Sequence, residues 1–200
     1  MNFDTAGSNT RAMKNHMLTK AKQMKSSLQH EEVDLAMCTD VIDYQQSVCL
    51  NAHGQYLNLA GILQANPQDK FLLSDVDQQL LLKIVFKEPV ALSQLMFRAN
   101  VGPSDADPED TQDSSGPKDV RLFANNEGMD FSEAEDSACA HRLDLEPETL
   151  QEGGKAVLPG AKFHRIRSIQ MFVADNQKGS AFTFINRVGL IGHVSESYHS

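Results

Sequence analysis

The chain contains no tryptophan and three cysteines, and it lacks the run of about 18 apolar residues that crosses a bilayer. Three cysteines are too few, and odd in number, for a disulfide framework. The N-terminus has no apolar stretch of signal-peptide length behind its basic residues, which argues against secretion. We therefore expect no membrane-spanning segment and a protein of a reducing compartment.

Basic residues are also scarce. The 200 residues include 18 Lys and Arg against 27 Asp and Glu, a formal net charge of −9 at pH 7. This balance argues against a nucleic-acid partner, because phosphate neutralisation needs surplus cations. Apolar residues make up 40% of the chain, which is enough for the packed core of one soluble domain.

Charge divides the chain into an N-terminal extension, a domain and a short tail. Residues 1–30 hold five basic residues and one acidic residue, whereas the remainder is strongly acidic. The extension has apolar residues at spacings typical of one helical face, namely Met13, Met17, Ala21, Met24 and Leu28. We expect this extension to be a marginal helix or disordered. The alternatives are a partner-binding helix and a targeting segment, and the excess of Lys over Arg disfavours targeting. We assign the domain to residues 31–194 and a disordered tail to residues 195–200.

The pattern from residue 72 onward predicts β-strands. The first alternating run comprises Leu80, Leu82, Ile84 and Phe86, which is typical of a strand with one buried face. Lys87-Glu88-Pro89 predicts a turn that interrupts this run. Apolar residues then restart at even positions and continue at odd positions, and this switch predicts a β-bulge near Ser93-Gln94.

Further short strands follow, separated by polar loops. Residues 102–116 predict an exposed acidic loop, and residues 163–166 and 169–173 predict two separate extended pieces. Gly189 and Gly192 stand where a bulge or a close backbone approach is expected. About seven or eight strands without regular helix alternation favour an all-β fold, an antiparallel β-sandwich or jelly roll.

Patterns for common catalytic or metal sites do not occur. Cys38, Cys49 and Cys139 lack the spacing of a thioredoxin-type redox pair, so each is expected to be an ordinary half-buried thiol. No histidine joins a cysteine at zinc-ligand spacing. An EF-hand loop counted from Asp105 fails because Asp110 stands where a glycine is needed. The chain also lacks nucleophile-elbow, dinucleotide-binding and Walker sequences, so we predict neither enzymatic activity nor a cofactor.

Ser74-Asp75-Val76-Asp77 places two carboxylates on one side of an extended segment. They suit either a cation or, more simply, the capping of a turn at a strand entrance. Sugar sites usually stack the ring on an aromatic face, and the chain has no Trp and three Tyr. A carbohydrate or small-ligand site in the end loops remains the competing hypothesis.

Five blocks, in order, resemble the signatures of the PITH domain, the proteasome-interacting domain of thioredoxin-like proteins. The blocks are Leu73–Leu82, Gly116–Phe123, Met129–Glu135, Phe172–Gln177 and Val188–Gly192. The ordered set, spread over residues 34–193, carries the resemblance more than any single block does. The chain departs from the pattern at Gln78, where an acid is usual, and in its longer acidic loop and basic extension.

The resemblance implies a jelly-roll-like β-sandwich related in shape to galactose-binding domains. It implies a non-catalytic, cytoplasmic and nuclear protein that associates with the proteasome regulatory particle, and we expect a monomer. The chain has neither the length nor the paired cysteines of an added thioredoxin domain. It therefore resembles the stand-alone members of the family, or a piece of a longer member.

Polar positions of these blocks, and one aromatic residue, are the candidates for partner contact. They are Asp75, Asp77, Lys118, Asp130, Phe131, Glu133, Asp175 and Asn176. Each also has a structural alternative, because such polar residues cap turns or bind loop backbone and Phe131 would close one end of the sandwich.

Overall fold

The computed structural model describes residues 13–20, 31–64, 70–151 and 154–195. Its strands are β1 (Val33–Asp34), β2 (Val48–Leu50), β3 (Leu72–Leu73), β4 (Leu80–Arg98), β5 (Ser114–Ser115), β6 (Pro117–Ala124), β7 (His141–Asp144), β8 (Lys155–Val157), β9 (Ile166–Asn176), β10 (Phe182–Ile185) and β11 (Arg187–Val194). Residues 13–20 are helical, as are Leu59–Leu63 and the β6–β7 helix (Phe131–Asp136). Single 3-10 turns cover Leu35–Met37, Glu109–Thr111, Pro147–Leu150 and Gly160–Lys162.

Most strands belong to one large sheet of antiparallel pairs. Its order is β1-β11-β4-β9-β6-β7, and β2 and β8 also pair with β4. A smaller sheet has the order β3-β10-β5, in which β10 and β5 run parallel. The described residues thus form the all-β, mostly antiparallel sandwich that the alternating pattern predicts.

The main core contains side chains from both sheets. Leu80, Leu82, Leu122 and Val173, each predicted to be core, are completely buried. Burying such a side chain contributes about 1.5–3 kcal/mol. Because strand residues alternate between faces, the residues between them build a second cluster on the other face of the large sheet. Its buried members are Leu81, Phe123, Met129, Ala134 and Phe172.

The long strand β4 runs through the segment for which the sequence predicts a turn. Residues 87–89 stay within the strand, so that turn prediction is wrong. Pairing with β9 is irregular between Val85 and Val90, and other neighbours take over in this interval. The Lys87 N–H donates to the Val41 carbonyl, and the Pro89 carbonyl accepts from the Ser195 N–H. These bonds keep the chain extended, and proline fits because no regular ladder bond is required there.

The bulge predicted near Ser93 is confirmed. The register between β4 and β11 shifts between Ile191 and Gly192, which leaves Ser93 as the extra residue. A Cβ on Gly192 would overlap the carbonyl oxygen of Ala91. Glycine is therefore required at the close approach that the sequence predicts.

Strand β9 also differs from expectation. It runs unbroken from Ile166 to Asn176, so the prediction of two separate pieces at 163–166 and 169–173 is wrong. Pairing with β4 on one edge and β6 on the other holds it as a single strand. Phe163 instead ends a 3-10 turn and is completely buried.

The acidic loop 102–116 is exposed at most of its residues from 104 to 113. Thr111 and Ser115 are buried, so the prediction of exposure is wrong for the last residues. The backbone of Asp113 accepts a hydrogen bond from the Phe182 N–H at 3.1 Å, and β5 then pairs with β10. These bonds attach the loop to the smaller sheet.

The two ends of the chain are described in part. Residues 13–20 are helical and exposed, while Ala21, Met24 and Leu28 of the predicted face lie outside the described residues. Ser195 is buried rather than part of a free tail, and residues 196–200 again lie outside the described part. In the ranges that the structure covers, no helix has the length and apolarity needed to cross a bilayer.

Candidate functional site

One side chain from the preceding loop holds the turn at residues 74–79. Asn51 accepts from the Val76 N–H at 3.0 Å through Oδ1. Its Nδ2 donates to Asp77 Oδ1 at 3.0 Å and to the Gln79 carbonyl at 2.7 Å. Asp77 Oδ1 also accepts from the Gln79 N–H at 2.9 Å, so this carboxylate caps the turn as its position predicts.

The turn presents an apolar and a charged side chain to solvent. Val76 at its tip is 81% exposed. The Asp75 side chain is 53% exposed, with one oxygen 3.7 Å from His53 Nε2. His53 in turn packs edge-on against Tyr56, with ring centroids 5.2 Å apart. Hydrogen bonds rather than burial thus fix the position of Val76.

The β6–β7 helix begins at a capped N-terminus. Asp130 Oδ1 accepts from the Glu133 N–H at 2.9 Å, which is the usual N-cap bond. Glu133 Oε1 accepts from Asn126 Nδ2 at 2.7 Å. Half-buried Phe131 lies edge-on to Phe172 of β9, with ring centroids 6.1 Å apart. Asp130 and Glu133 remain exposed, so they both hold the helix and stay accessible.

A direct contact joins the turn to the helix. Gln79 Nε2 donates to Glu135 Oε1 at 2.8 Å. The turn 74–79 and residues 130–136 therefore form one continuous surface, which we call the turn–helix surface. Five of the eight predicted candidates lie on it, four acidic residues and the half-buried Phe131.

Two basic side chains of the large sheet, Arg121 and Lys83, donate hydrogen bonds to backbone carbonyls of this region. Arg121 Nη1 donates to the Glu135 carbonyl at 3.1 Å, and Lys83 Nζ donates to the Met129 carbonyl at 3.0 Å. Asp119 then binds Arg142 Nε at 2.7 Å, and this hydrogen bond raises the pKa of the Arg142 guanidinium. The large sheet thus binds this segment through backbone carbonyls, and the carboxylates of Glu133, Glu135 and Asp136 remain exposed.

Asn176 lies behind the turn and is 1% exposed. Its Nδ2 donates to the carbonyls of Ser180 and Phe182, both at 3.0 Å. It also donates to Thr183 Oγ1 at 3.2 Å, which itself donates to the Gln78 carbonyl at 2.6 Å. Asn176 therefore supports the turn from within, and a partner would reach its side chain only if the fold opened.

Lys118 and Asp175 lie near the same end of the large sheet. Leu80 at the start of β4 pairs with Val173 near the end of β9, which places the turn beside them. Both are exposed, and Asp175 Oδ1 accepts from the Asn176 N–H at 2.8 Å. The structure thus brings the eight candidates to one region but gives them unequal access to solvent.

The sequence did not identify several residues that organise this region. Gln79 and Glu135 belong to recognised blocks but have no spacing that pairs them. Asn51 and Thr183 lie outside every block, and their contacts with the turn cross 25 and 105 residues of chain. Only the positive φ of Asn51, +64°, has a sequence signal, since Asn is one of the few residues that visit this region.

The surroundings of Cys38 and Cys49 disfavour the thiolate form of each. Desolvation raises the pKa of the Cys49 thiol, and desolvation together with the nearby Asp34 raises that of Cys38. A nucleophilic cysteine needs the opposite shift. Across the described ranges, no group of three His, Cys, Asp or Glu side chains is placed to hold a metal ion.

Comparison with known proteins finds relatives in sequence. The family model described as the PITH domain matches residues 25–200. "Thioredoxin-like protein 1" of Schizosaccharomyces pombe is 29% identical over 153 residues, which cover 76% of this chain and 49% of that protein. "PITH domain-containing protein 1" of Danio rerio is 28% identical over 136 residues, which cover 68% and 58%. The chain thus spans about half the length of these curated relatives.

Solved structures resemble it in fold. A fucolectin from striped bass (Morone saxatilis) serum superposes with a TM-score of 0.52 at 9% identity, covering 82% of this chain and 50% of that one. The family 32 carbohydrate-binding module of Clostridium perfringens NanJ, solved with galactose, gives 0.49 at 8% identity, covering 76% and 98%. At 9% identity the likeness to the fucolectin concerns the jelly-roll fold alone.

Proposed function

The chain belongs to the PITH domain family, and from that premise we propose that it is a non-catalytic interaction module that associates with the proteasome regulatory particle. The name of the family's signature and the order of its blocks support this function. The raised thiol pKa values are compatible with a module that performs no redox chemistry. We further propose that it works in the cytoplasm and nucleus, where proteasomes are found.

The observation that carries the proposal is the geometry of the turn–helix surface. Its two segments come from different blocks of the family pattern, and one side-chain bond between Gln79 and Glu135 unites them. Five hydrogen bonds of Asn51 and Asp77 fix the turn before any partner arrives. A preorganised surface loses little conformational entropy on binding, which favours affinity.

The chemistry of this surface indicates what it would bind. Val76 projects as an exposed apolar anchor, and the same turn–helix surface carries the exposed carboxylates of Asp75, Glu133 and Asp136. Interfaces commonly bury a small apolar centre inside a polar rim. The complementary partner surface therefore has a shallow apolar socket with basic residues at its edge.

Capture of purified 26S proteasome by the immobilised chain tests the proposal. Val76→Asp places a charge on the anchor without touching the core, and we expect capture to weaken by about tenfold or more, since a loss of 1.4 kcal/mol is tenfold. Val157→Asp is the matched control, because Val157 is 70% exposed on β8. Unchanged capture by the Val76 variant would reject this surface, and no capture by the unaltered chain would reject proteasome association itself.

A further inference from the structure

Exposed apolar side chains of the described residues concentrate in two places. The large ones are Met13, Met17 and Leu18 in the N-terminal helix, Met37, Tyr44 and Val48 in the domain, and the isolated Val76 and Val157. Scattered single residues of this kind are normal, whereas a contiguous group indicates a contact surface.

The three domain residues line a groove. One cavity of about 520 Å³ is bordered by Met37, Cys38 and Tyr44, and a second of about 260 Å³ is bordered by Tyr44, Val48 and Ala60. Tyr44 borders both, so we call the pair the Tyr44 groove.

The helical residues 13–20 present an apolar face that could fill such a groove. Met13 and Met17 lie one turn apart on the same face, and all of residues 13–20 are exposed. Helices of few turns are marginal in water unless an apolar face packs on something. Methionine is flexible and polarisable, and it fits irregular grooves well.

The chain itself brings the two surfaces together. Residues 21–32 connect the helix to β1, and at up to about 3.5 Å per residue they reach about 40 Å. Met37, only three residues beyond β1, already borders the groove. A tether of this length gives the groove a high effective concentration of the helix.

Charge favours the same pairing. Residues 1–30 carry five cations and one acid, whereas the rest of the chain has 13 basic and 26 acidic residues. At the groove Lys87 is engaged by Asp40 at 3.0 Å, and the half-buried Asp43 precedes Tyr44 in the chain. A hydrogen bond from Gln46 lowers the pKa of Asp43 and keeps it anionic.

We propose that the N-terminal helix docks its methionine face into the Tyr44 groove of its own chain. Met13 and Met17 enter the two cavities on either side of Tyr44, and Lys14 and Lys20 extend toward the acidic surroundings. The helix then acts as a strap over Met37, Tyr44 and Val48, the exposed apolar side chains that border the groove. This inference is independent of proteasome association.

Cross-linking of the full chain tests the proposal. With Cys49→Ala and Cys139→Ala as background, a Met17→Cys variant is treated with a short bis-maleimide, which joins its new thiol to Cys38 if the helix is docked. Asn15→Cys, on the opposite face of the same helix, is the control. We expect at least tenfold more intramolecular product from Met17→Cys. Equal yields from both variants, or a product that is a cross-linked dimer, would overturn the proposal.

Hydrogen exchange gives a second measurement without added thiols. Met13→Asp with Met17→Asp should speed amide exchange in residues 41–50 by about tenfold, because the strap leaves the groove. Asn15→Asp with Thr19→Asp adds the same charge to the other face and should leave that exchange unchanged. Equal effects of the two pairs would contradict the proposed orientation of the helix.

Discussion

Asn51 is the residue on which the turn–helix surface depends most. Its side chain bridges both ends of the turn, and its backbone has a positive φ. The bridging role does not show in the sequence, because the partners are more than twenty residues away. At the residue scale, the sequence predicted that Asp77 caps a turn, because that role is local. It did not predict that the side chain of Asn51, which is distant in the chain, completes the cap.

Two substitutions at Asn51 separate its contributions. Asn51→Ala should lower the free energy of unfolding by about 2–3 kcal/mol, since it removes the side-chain bonds and leaves a Cβ residue at positive φ. Asn51→Gly loses the same bonds but tolerates that φ, so it should cost about 1–2 kcal/mol. Urea denaturation measures both, and an alanine variant as stable as the glycine variant would contradict the strained-backbone part of this explanation.

The thiols offer a test of chemistry at the residue scale. The pKa of the Cys49 thiol is raised by desolvation, and the thiolate is the species that reacts. Iodoacetamide at pH 7.5 should therefore label Cys49 at least about tenfold more slowly in the folded chain than in denaturant. Labelling should accelerate as pH rises, because the thiolate fraction grows. Fast labelling of folded Cys49 at neutral pH would revive a redox function.

At the scale of elements, one prediction for β4 is confirmed and another is wrong. The switch of parity predicted the bulge at Ser93, because the two-residue period of a strand leaves no other explanation for it. The expected turn at residues 87–89 did not form, because backbone bonds from Val41 and Ser195 replace those of β9. Such long-range partners leave no periodic signal, and the single strand β9 escaped prediction for the same reason.

Gly192 provides the corresponding prediction for the sheet. Gly192→Ala would drive a Cβ into the Ala91 carbonyl at the bulge, and we expect a loss of about 2–3 kcal/mol in the free energy of unfolding. Gly128→Ala is the matched control, since a Cβ there meets nothing within 4 Å, and should change stability by less than about 0.5 kcal/mol. Equal free energies of unfolding for the two variants, in thermal or chemical unfolding, would contradict this prediction. β4 and β11 would then accommodate the added Cβ by shifting without cost.

At the scale of the whole molecule, the similarity in fold and the similarity in sequence suggest different functions. The jelly roll resembles a lectin in shape, whereas the ordered blocks match the PITH domain. Shape is shared by many functions, and function resides in particular sites. The sequence predicted the architecture from alternation and the family from its blocks. It could not predict that Gln79 and Glu135 would make one surface of two of these blocks.

A thermal-shift assay separates the interaction module from a ligand-binding jelly roll. Ca²⁺ or galactose in excess should move the Tm of the full chain by less than about 1 °C. A ligand at a hundred times its Kd would add about 2.7 kcal/mol and shift the Tm of a domain this size by several degrees. A reproducible shift of that size would favour the carbohydrate or small-ligand hypothesis.

Site-specific photo-cross-linking tests the central claim most directly. A photoreactive amino acid placed at Val76, and separately at Val157, is irradiated in the presence of purified 26S proteasome. The turn–helix surface predicts that position 76 captures a subunit of the regulatory particle and position 157 does not. Equal capture from both positions, or none from position 76, would contradict it.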